Sequence, residues 1–200
     1  MFLKETIIGN ERAIRILERS RKNGKLAHAY LFEGPDYLGK KKLALGFGGL
    51  ILGKNEKNTE NNLDLMIICP DKNSKQITVE EIRNLERKLS FYPYYSKYKV
   101  VIIEQADRMN KTAANALLKT LEEPNATAII ILITSDSSNI PTTIKSRCQI
   151  IKFFPVSEKL LGEKLSEKTD DRSEIEKIIE ISACKPEKAF ELVGDSKKIE

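Results

Sequence analysis

The segment Gly34-Pro35-Asp36-Tyr37-Leu38-Gly39-Lys40-Lys41 matches the phosphate-binding pattern G-x-x-x-x-G-K-[ST] at every fixed position except the last. In such a loop the glycines let backbone amides converge on phosphate oxygens, the lysine neutralises them, and the terminal hydroxyl ligates magnesium. Lys41 has no hydroxyl and carries a positive charge, so it cannot ligate a cation. Taken alone, the segment reads first as a glycine-containing turn between a strand and a helix.

Other residues could join that chemistry. Glu104 ends the apolar run Val100-Val101-Ile102-Ile103, and ligands of open α/β sheets bind at the carboxyl ends of the strands. A solvated loop acid fits Glu104 equally well. Its neighbour Gln105 cannot accept a proton as a general base would. Thr134-Ser135-Asp136 leaves the next apolar run and offers hydroxyls near a bound phosphate, or simply a polar exit. Arg147 would bring a permanent charge and rigidly arranged donors to a phosphoryl group, although by itself it reads as a surface or structural arginine. His28, the one histidine, precedes an apolar strand without a Ser or Cys partner motif and is expected to be structural.

The elements that must position these residues follow from periodicity. Ala13, Ile14 and Leu17 at helical spacing predict an amphipathic helix over 10–22, with Asn10 as its cap. Ala29 to Phe32 predicts a strand that stops at Gly34-Pro35, and helical spacing resumes from Lys40. Residues 53 to 63 lack apolar periodicity and predict an exposed connection, followed by a short buried strand from Leu65 to Ile68. Thr78-Val79-Glu80-Glu81 fits a capping box ahead of Ile82, Leu85 and Leu89. The β-branched run Val100 to Ile103 and its echo from Ala128 to Ile133 look like strands covered on both faces of a parallel sheet. Between them Ala113 to Leu121 forms a helix that Pro124 cannot continue. Beyond Ile150 and Phe153, three helices over 157–168, 172–183 and 186–193 follow without strands, and a domain boundary is expected near Pro155.

Bulk properties narrow the class without choosing a function. Two hundred residues, 40% hydrophobic, suffice for one well-buried domain and a small second one. A net charge of +5 fits work near a polyanion and fits an ordinary protein equally. Cys69, Cys148 and Cys184 are far apart and form no C-x-x-C pair, which argues against a zinc site or a disulfide framework. Charges at Lys4 and Glu5 precede any apolar stretch, and the weakly apolar run from Leu43 to Gly53 is far below a membrane span, so neither export nor insertion is expected. The acceptor-like triplet Asn125-Ala126-Thr127 carries no weight without a secretory route.

Four segments, read together, resemble the bacterial clamp-loader family of AAA+ proteins. They are Leu26 to Pro35, Glu104 to Met109, Asn115-Ala116-Leu117-Leu118-Lys119-Thr120-Leu121-Glu122-Glu123-Pro124, and Ser146-Arg147-Cys148, in the family's order and at its spacing. The resemblance implies an α/β fold: a RecA-like P-loop AAA+ domain with a parallel sheet over 1–155, then a small all-helical lid over 156–200, the family's C-terminal collar being absent. Within the family the tau/gamma branch keeps an intact loop and an Asp-Glu pair, whereas the delta-prime branch tolerates decay of both, and this sequence resembles the latter.

That resemblance implies a subunit of the DNA polymerase III assembly that is not catalytic on its own. Gly34, Gly39, Lys40 and Lys41 would be a degenerate nucleotide loop, and Glu104 with Gln105 a degenerate Walker B pair. Thr134 and Ser135 would be the first sensor, and Glu187 stands where active members carry the second sensor's arginine. Arg147 would be an arginine finger reaching the γ-phosphate held by an adjacent tau/gamma subunit. Implied partners are tau/gamma and delta, the sliding clamp, and primer-template DNA through the assembly, all in the cytoplasm. No cofactor is required on this reading, weak ATP binding stays open, and no zinc is expected because only Cys69 stands where relatives carry a four-cysteine module. Two rivals remain: an active ATPase built on Lys40 and Glu104, and an AAA+-fold interaction scaffold outside replication.

Overall fold

The computed structural model describes Leu3, residues 6–53 and residues 62–194. Five strands form one sheet: β1 (Ala29–Glu33), β2 (Leu65–Ile68), β3 (Lys99–Ile103), β4 (Ala128–Thr134) and β5 (Gln149–Lys152). Their order is β2-β3-β4-β1-β5 and every pairing is parallel. Parallel neighbours need crossovers, and the sequence supplies them as helices: α1 (Glu11–Lys22) leads into β1, α2 (Lys40–Leu52) follows it, and α3 (Val79–Leu89) and α4 (Lys111–Glu122) precede β3 and β4. A single short turn, α5 (Thr142–Lys145), precedes β5.

The apolar runs conceal a strict alternation. Tyr30 and Phe32 of β1, Val100 and Ile102 of β3, and Ile129, Ile131 and Ile133 of β4 face one layer with α1 and α2. Ala29 and Leu31, Val101 and Ile103, and Ile130 and Leu132 face the layer built from α3 and α4. Each central strand is therefore apolar at consecutive positions because both pleat faces are covered. The buried Tyr30 ring meets Phe47 edge-on at 5.4 Å, and its hydroxyl accepts from the Ala27 amide at 2.9 Å, so the one polar atom of the ring is satisfied.

Two expectations are corrected. Asn10 stands at the N-cap position of α1 but does not cap it with its side chain: it lies in the left-handed region at φ 52° and its side chain makes no cap hydrogen bond. Its amide instead grips the backbone of Phe154, donating to the carbonyl at 3.1 Å and accepting from the N–H at 2.9 Å. The Leu65–Ile68 strand is present but is not a buried strand; as the sheet's edge it pairs only with β3, and Ile67 is 38% exposed. The capping box of α3 forms as read, with the Thr78 hydroxyl accepting from the Glu81 amide and Glu81 accepting from the Thr78 amide. The connection expected over 53–63 falls mostly on 54–61, and Lys4 and Glu5 of the expected non-export terminus also lie outside the described residues.

Past Pro155 the chain forms α6 (Glu158–Leu165), α7 (Arg172–Ser182) and α8 (Pro186–Leu192). Leu161, Leu165, Ile175, Ile178, Ala189 and Leu192 make an apolar cluster separate from the two sheet layers. These helices are tied back to the sheet region at the loop after β1, where the Glu187 amide donates to the Tyr37 carbonyl at 3.1 Å. Among the described residues no helix is long and apolar enough to cross a membrane.

Candidate functional site

The loop 34–41 runs from the carboxyl end of β1 to the first turn of α2, the place where an open parallel sheet binds ligands. Two glycines make its path possible. Gly34 has φ 144° and a Cβ there would collide with the Phe153 carbonyl; Gly39 has φ 82° and a Cβ would collide with Ile7. Tyr37, between them, is also held at positive φ, 67°.

The loop's cations are spent on the protein itself. Lys40 is 5% exposed and donates through Nζ to the carbonyls of Gly34 at 2.6 Å and Pro35 at 2.5 Å, with the Asp36 carboxylate at 3.7 Å. Burial pulls its ammonium pKa below the ordinary value, and Asp36, Glu187 and Asp107 offset part of that. Lys41 reaches across to the end of β3 and pairs with Glu104 Oε1 at 2.9 Å. The position that would hold a magnesium-ligating hydroxyl thus holds an ammonium, seated on the carboxylate that a metal would need. These residues do not fit a magnesium ion.

Glu104 is placed by the sheet: its amide donates to Ile68 at 2.8 Å, extending the β2–β3 ladder by one step. Gln105 turns into the left-handed region, φ 48°, and its side chain is exposed. Thr134, fully buried at the end of β4, donates its hydroxyl to Asp107 Oδ1 at 2.6 Å and accepts from the Asp136 amide at 3.1 Å. Ser135 is exposed one residue later. The structure therefore brings Lys40, Lys41, Glu104, Asp107 and Thr134 to one edge of the sheet.

Arg147 is elsewhere. It sits between α5 and β5, and β5 enters the sheet at Gln149 opposite Tyr30. At ~3.3 Å per strand residue, the four residues from Tyr30 to Gly34 separate it from its own loop by ~13 Å or more along the strand direction. Its guanidinium pairs with Glu122 Oε1 at 2.7 Å and donates to the Thr143 carbonyl at 2.9 Å. With side chains 34% and 51% exposed, the Arg147–Glu122 pair is accessible from outside the chain.

A sequence profile described as "DNA polymerase III, delta subunit" matches residues 9–157. The chain belongs to this family. It is a delta-prime-like clamp-loader protein: the DNA polymerase III subunit delta' of Bacillus subtilis is 37% identical over 169 residues, covering 78% of this chain and 51% of that protein. Subunit tau of the same organism is 34% identical over 178 residues, covering 83% of this chain and 31% of tau. This clamp-loader chain therefore spans about half the length of its delta' relative. Among solved structures, a gamma-subunit-related protein of Thermotoga maritima superposes with a TM-score of 0.68 at 26% identity, covering 94% of this chain and 60% of the other. The RuvB branch-migration motor of the same organism gives 0.67 at 20% identity over 99% of this chain and 66% of its own, which shows the shared RecA-like α/β fold alone.

Four site features were not assigned a role from sequence. Asp107 holds the Thr134 hydroxyl, Glu122 holds Arg147, Glu187 accepts from the Gly39 amide at 3.1 Å, and the buried Asp64 carboxylate accepts from the amides of Tyr94, Tyr95 and Ser96 at 2.6 to 2.9 Å. Asp107 and Glu122 lie inside the family-like segments, Glu187 lies beyond them at the place of a missing arginine, and all three meet partners 25 to 148 residues away. His28 keeps a buried Nε2 without a hydrogen-bond partner. Among the described residues no cluster of His, Cys, Asp or Glu is arranged to hold a metal.

Proposed function

We propose that this chain is an ATPase-inactive delta-prime subunit of the DNA polymerase III clamp loader, which supplies Arg147 to the nucleotide bound by an adjacent tau/gamma subunit. The observation that carries the inactive half is the 2.9 Å pair between Lys41 and Glu104, which puts an internal cation where hydrolysis needs magnesium. Gln105 offers no base beside it. The reading of Arg147 is supported by its distance from the chain's own loop and by its half-exposed, charge-paired setting. A guanidinium delivered by a neighbour to a transferring phosphoryl group accelerates GTPases by ~10³ to 10⁵, through fixed donors and permanent charge.

On this proposal residues 1–155 are the AAA+ domain and 156–200 its helical lid, and the chain works in the cytoplasm. Tau/gamma and delta contact it, and through the ring it helps place the sliding clamp on primer-template DNA. It needs no cofactor and no zinc.

Two measurements test the two halves. The purified chain with magnesium and ATP should hydrolyse at background; turnover like that of an active clamp-loader ATPase refutes the inactive reading. In a reconstituted loader, Arg147→Ala should depress clamp- and DNA-stimulated hydrolysis by at least tenfold, while Arg147→Lys recovers little of it. Full activity with alanine removes the role given to Arg147.

A further inference from the structure

Glu187 lies in the second residue of α8, yet its carboxylate reaches the loop after β1. Oε2 accepts from the Gly39 amide at 3.1 Å, and Oε1 pairs with Lys42 Nζ at 3.2 Å. The Glu187 amide in turn donates to the Tyr37 carbonyl at 3.1 Å, so backbone and side chain grip the loop at two successive points. Gly39 is the residue before the first turn of α2, and amides at that position converge on an anion in a loop of this pattern. An anion is already there, and it belongs to the chain.

Beside this contact opens a cavity of about 1000 Å³, walled by Ile7, Leu38, Pro186, Phe190 and the loop itself. A nucleoside would fit its size and its largely apolar wall. Its phosphates would then have to meet the Gly39 amide, where a carboxylate 28% exposed already sits. Two anions competing for one donor repel each other, and the repulsion acts in a half-enclosed site where it is weakly screened.

We propose that Glu187 is an internal stand-in for phosphate, which closes the loop in cis against anionic ligands and fastens α8 to the loop after β1 without nucleotide. Loss of the hydroxyl at position 41 impairs metal binding; the Glu187 carboxylate separately impairs occupancy. The two defects are independent, and the closure by Glu187 stands whether or not Arg147 acts on a neighbour.

The test uses the whole 200-residue chain and ADP without magnesium, so that the missing metal-ligating hydroxyl at position 41 plays no part. Glu187→Ala vacates the amide, and Glu187→Gln keeps a cap for α2 while removing the charge. Calorimetry should give ADP affinity at least tenfold higher for both variants than for the unaltered chain. In Glu187→Ala the Gly39 amide resonance should move and its hydrogen exchange accelerate at least tenfold, a readout independent of nucleotide. Equal ADP affinity in all three proteins, or lower thermal stability in the variants with no gain in affinity, reduces Glu187 to a helix cap and overturns the proposal. Tight ADP binding by the unaltered chain overturns it as well. None of these outcomes bears on Arg147, which the loader assay tests alone.

Discussion

Lys41, Lys42 and Arg147 each meet a carboxylate of the same chain: Glu104, Glu187 and Glu122 respectively. Every one of these acids is distant in sequence, so these three charges are met by tertiary contacts. Cysteine chemistry is sorted by environment in the same way. Cys69 is exposed, whereas burial pushes the Cys148 thiol up to about 12 and raises Cys184 as well, with Glu158 adding to the effect. At pH 8 a thiol near 12 is almost entirely protonated, the thiolate is the reactive form, and burial also keeps the reagent away. Brief treatment with iodoacetamide should therefore alkylate Cys69 first and leave Cys148 intact until the protein is denatured, as peptide mass spectrometry would show. Rapid labelling of Cys148 in the folded chain would contradict the packing around it.

The connection from α3 to β3 shows what a single buried acid does for an element. Phe91, Tyr92, Tyr94 and Tyr95 are all more than 60% exposed, so apolar burial does not fix this segment. Asp64 does, by accepting three successive amides, and Lys99 helps by donating to the Lys88 carbonyl at the end of α3 at 2.6 Å. Burial raises the Asp64 pKa, but the amides of Tyr94, Tyr95 and Ser96 outweigh it and hold the carboxyl below its ordinary 3.8. A carboxylate lowered on folding stabilises fully above its unfolded pKa, and that contribution is lost as pH falls through the folded value. Asp64→Asn should thus cost about 2 kcal/mol at pH 7 and flatten the fall of melting temperature as the pH drops below about 4. Parallel melting curves for the two proteins across that range would reject the assignment.

At the scale of the molecule, the sheet puts the degenerate loop and Arg147 at opposite ends of neighbouring strands, β1 and β5. No motion within the sheet brings them together. Within the isolated chain the Arg147 side chain meets its half-exposed partner Glu122, the Thr143 carbonyl and, at 3.4 Å, the Ser146 hydroxyl, and such exposed pairs contribute ~0 to 1 kcal/mol. Arg147→Ala should therefore shift the unfolding free energy of the isolated chain by less than about 1 kcal/mol in a urea titration. A loss of several kcal/mol would make Arg147 a structural residue and leave its accessibility unexplained.

Much of the architecture was written in local sequence. Strand and helix runs, the Thr78 capping box, the parallel sheet and the loop between β1 and α2 follow from periodicity, β-branching and glycine placement, all of which act over a few residues. The missing hydroxyl at 41 and missing carboxylate at 105 were equally plain, because absence of a functional group needs no coordinates. Partnerships were not legible. Asn10 is a good cap by composition, yet a backbone 144 residues away claims its amide, since two hydrogen bonds, one given and one accepted, replace the single one at a helix end. Glu187 reads in sequence as a lost arginine, and only the fold turns it into a carboxylate on the Gly39 amide. Charges and hydrogen-bond donors declare their type in the chain, but which of them meet is decided by the tertiary packing that lays α8 against the loop after β1.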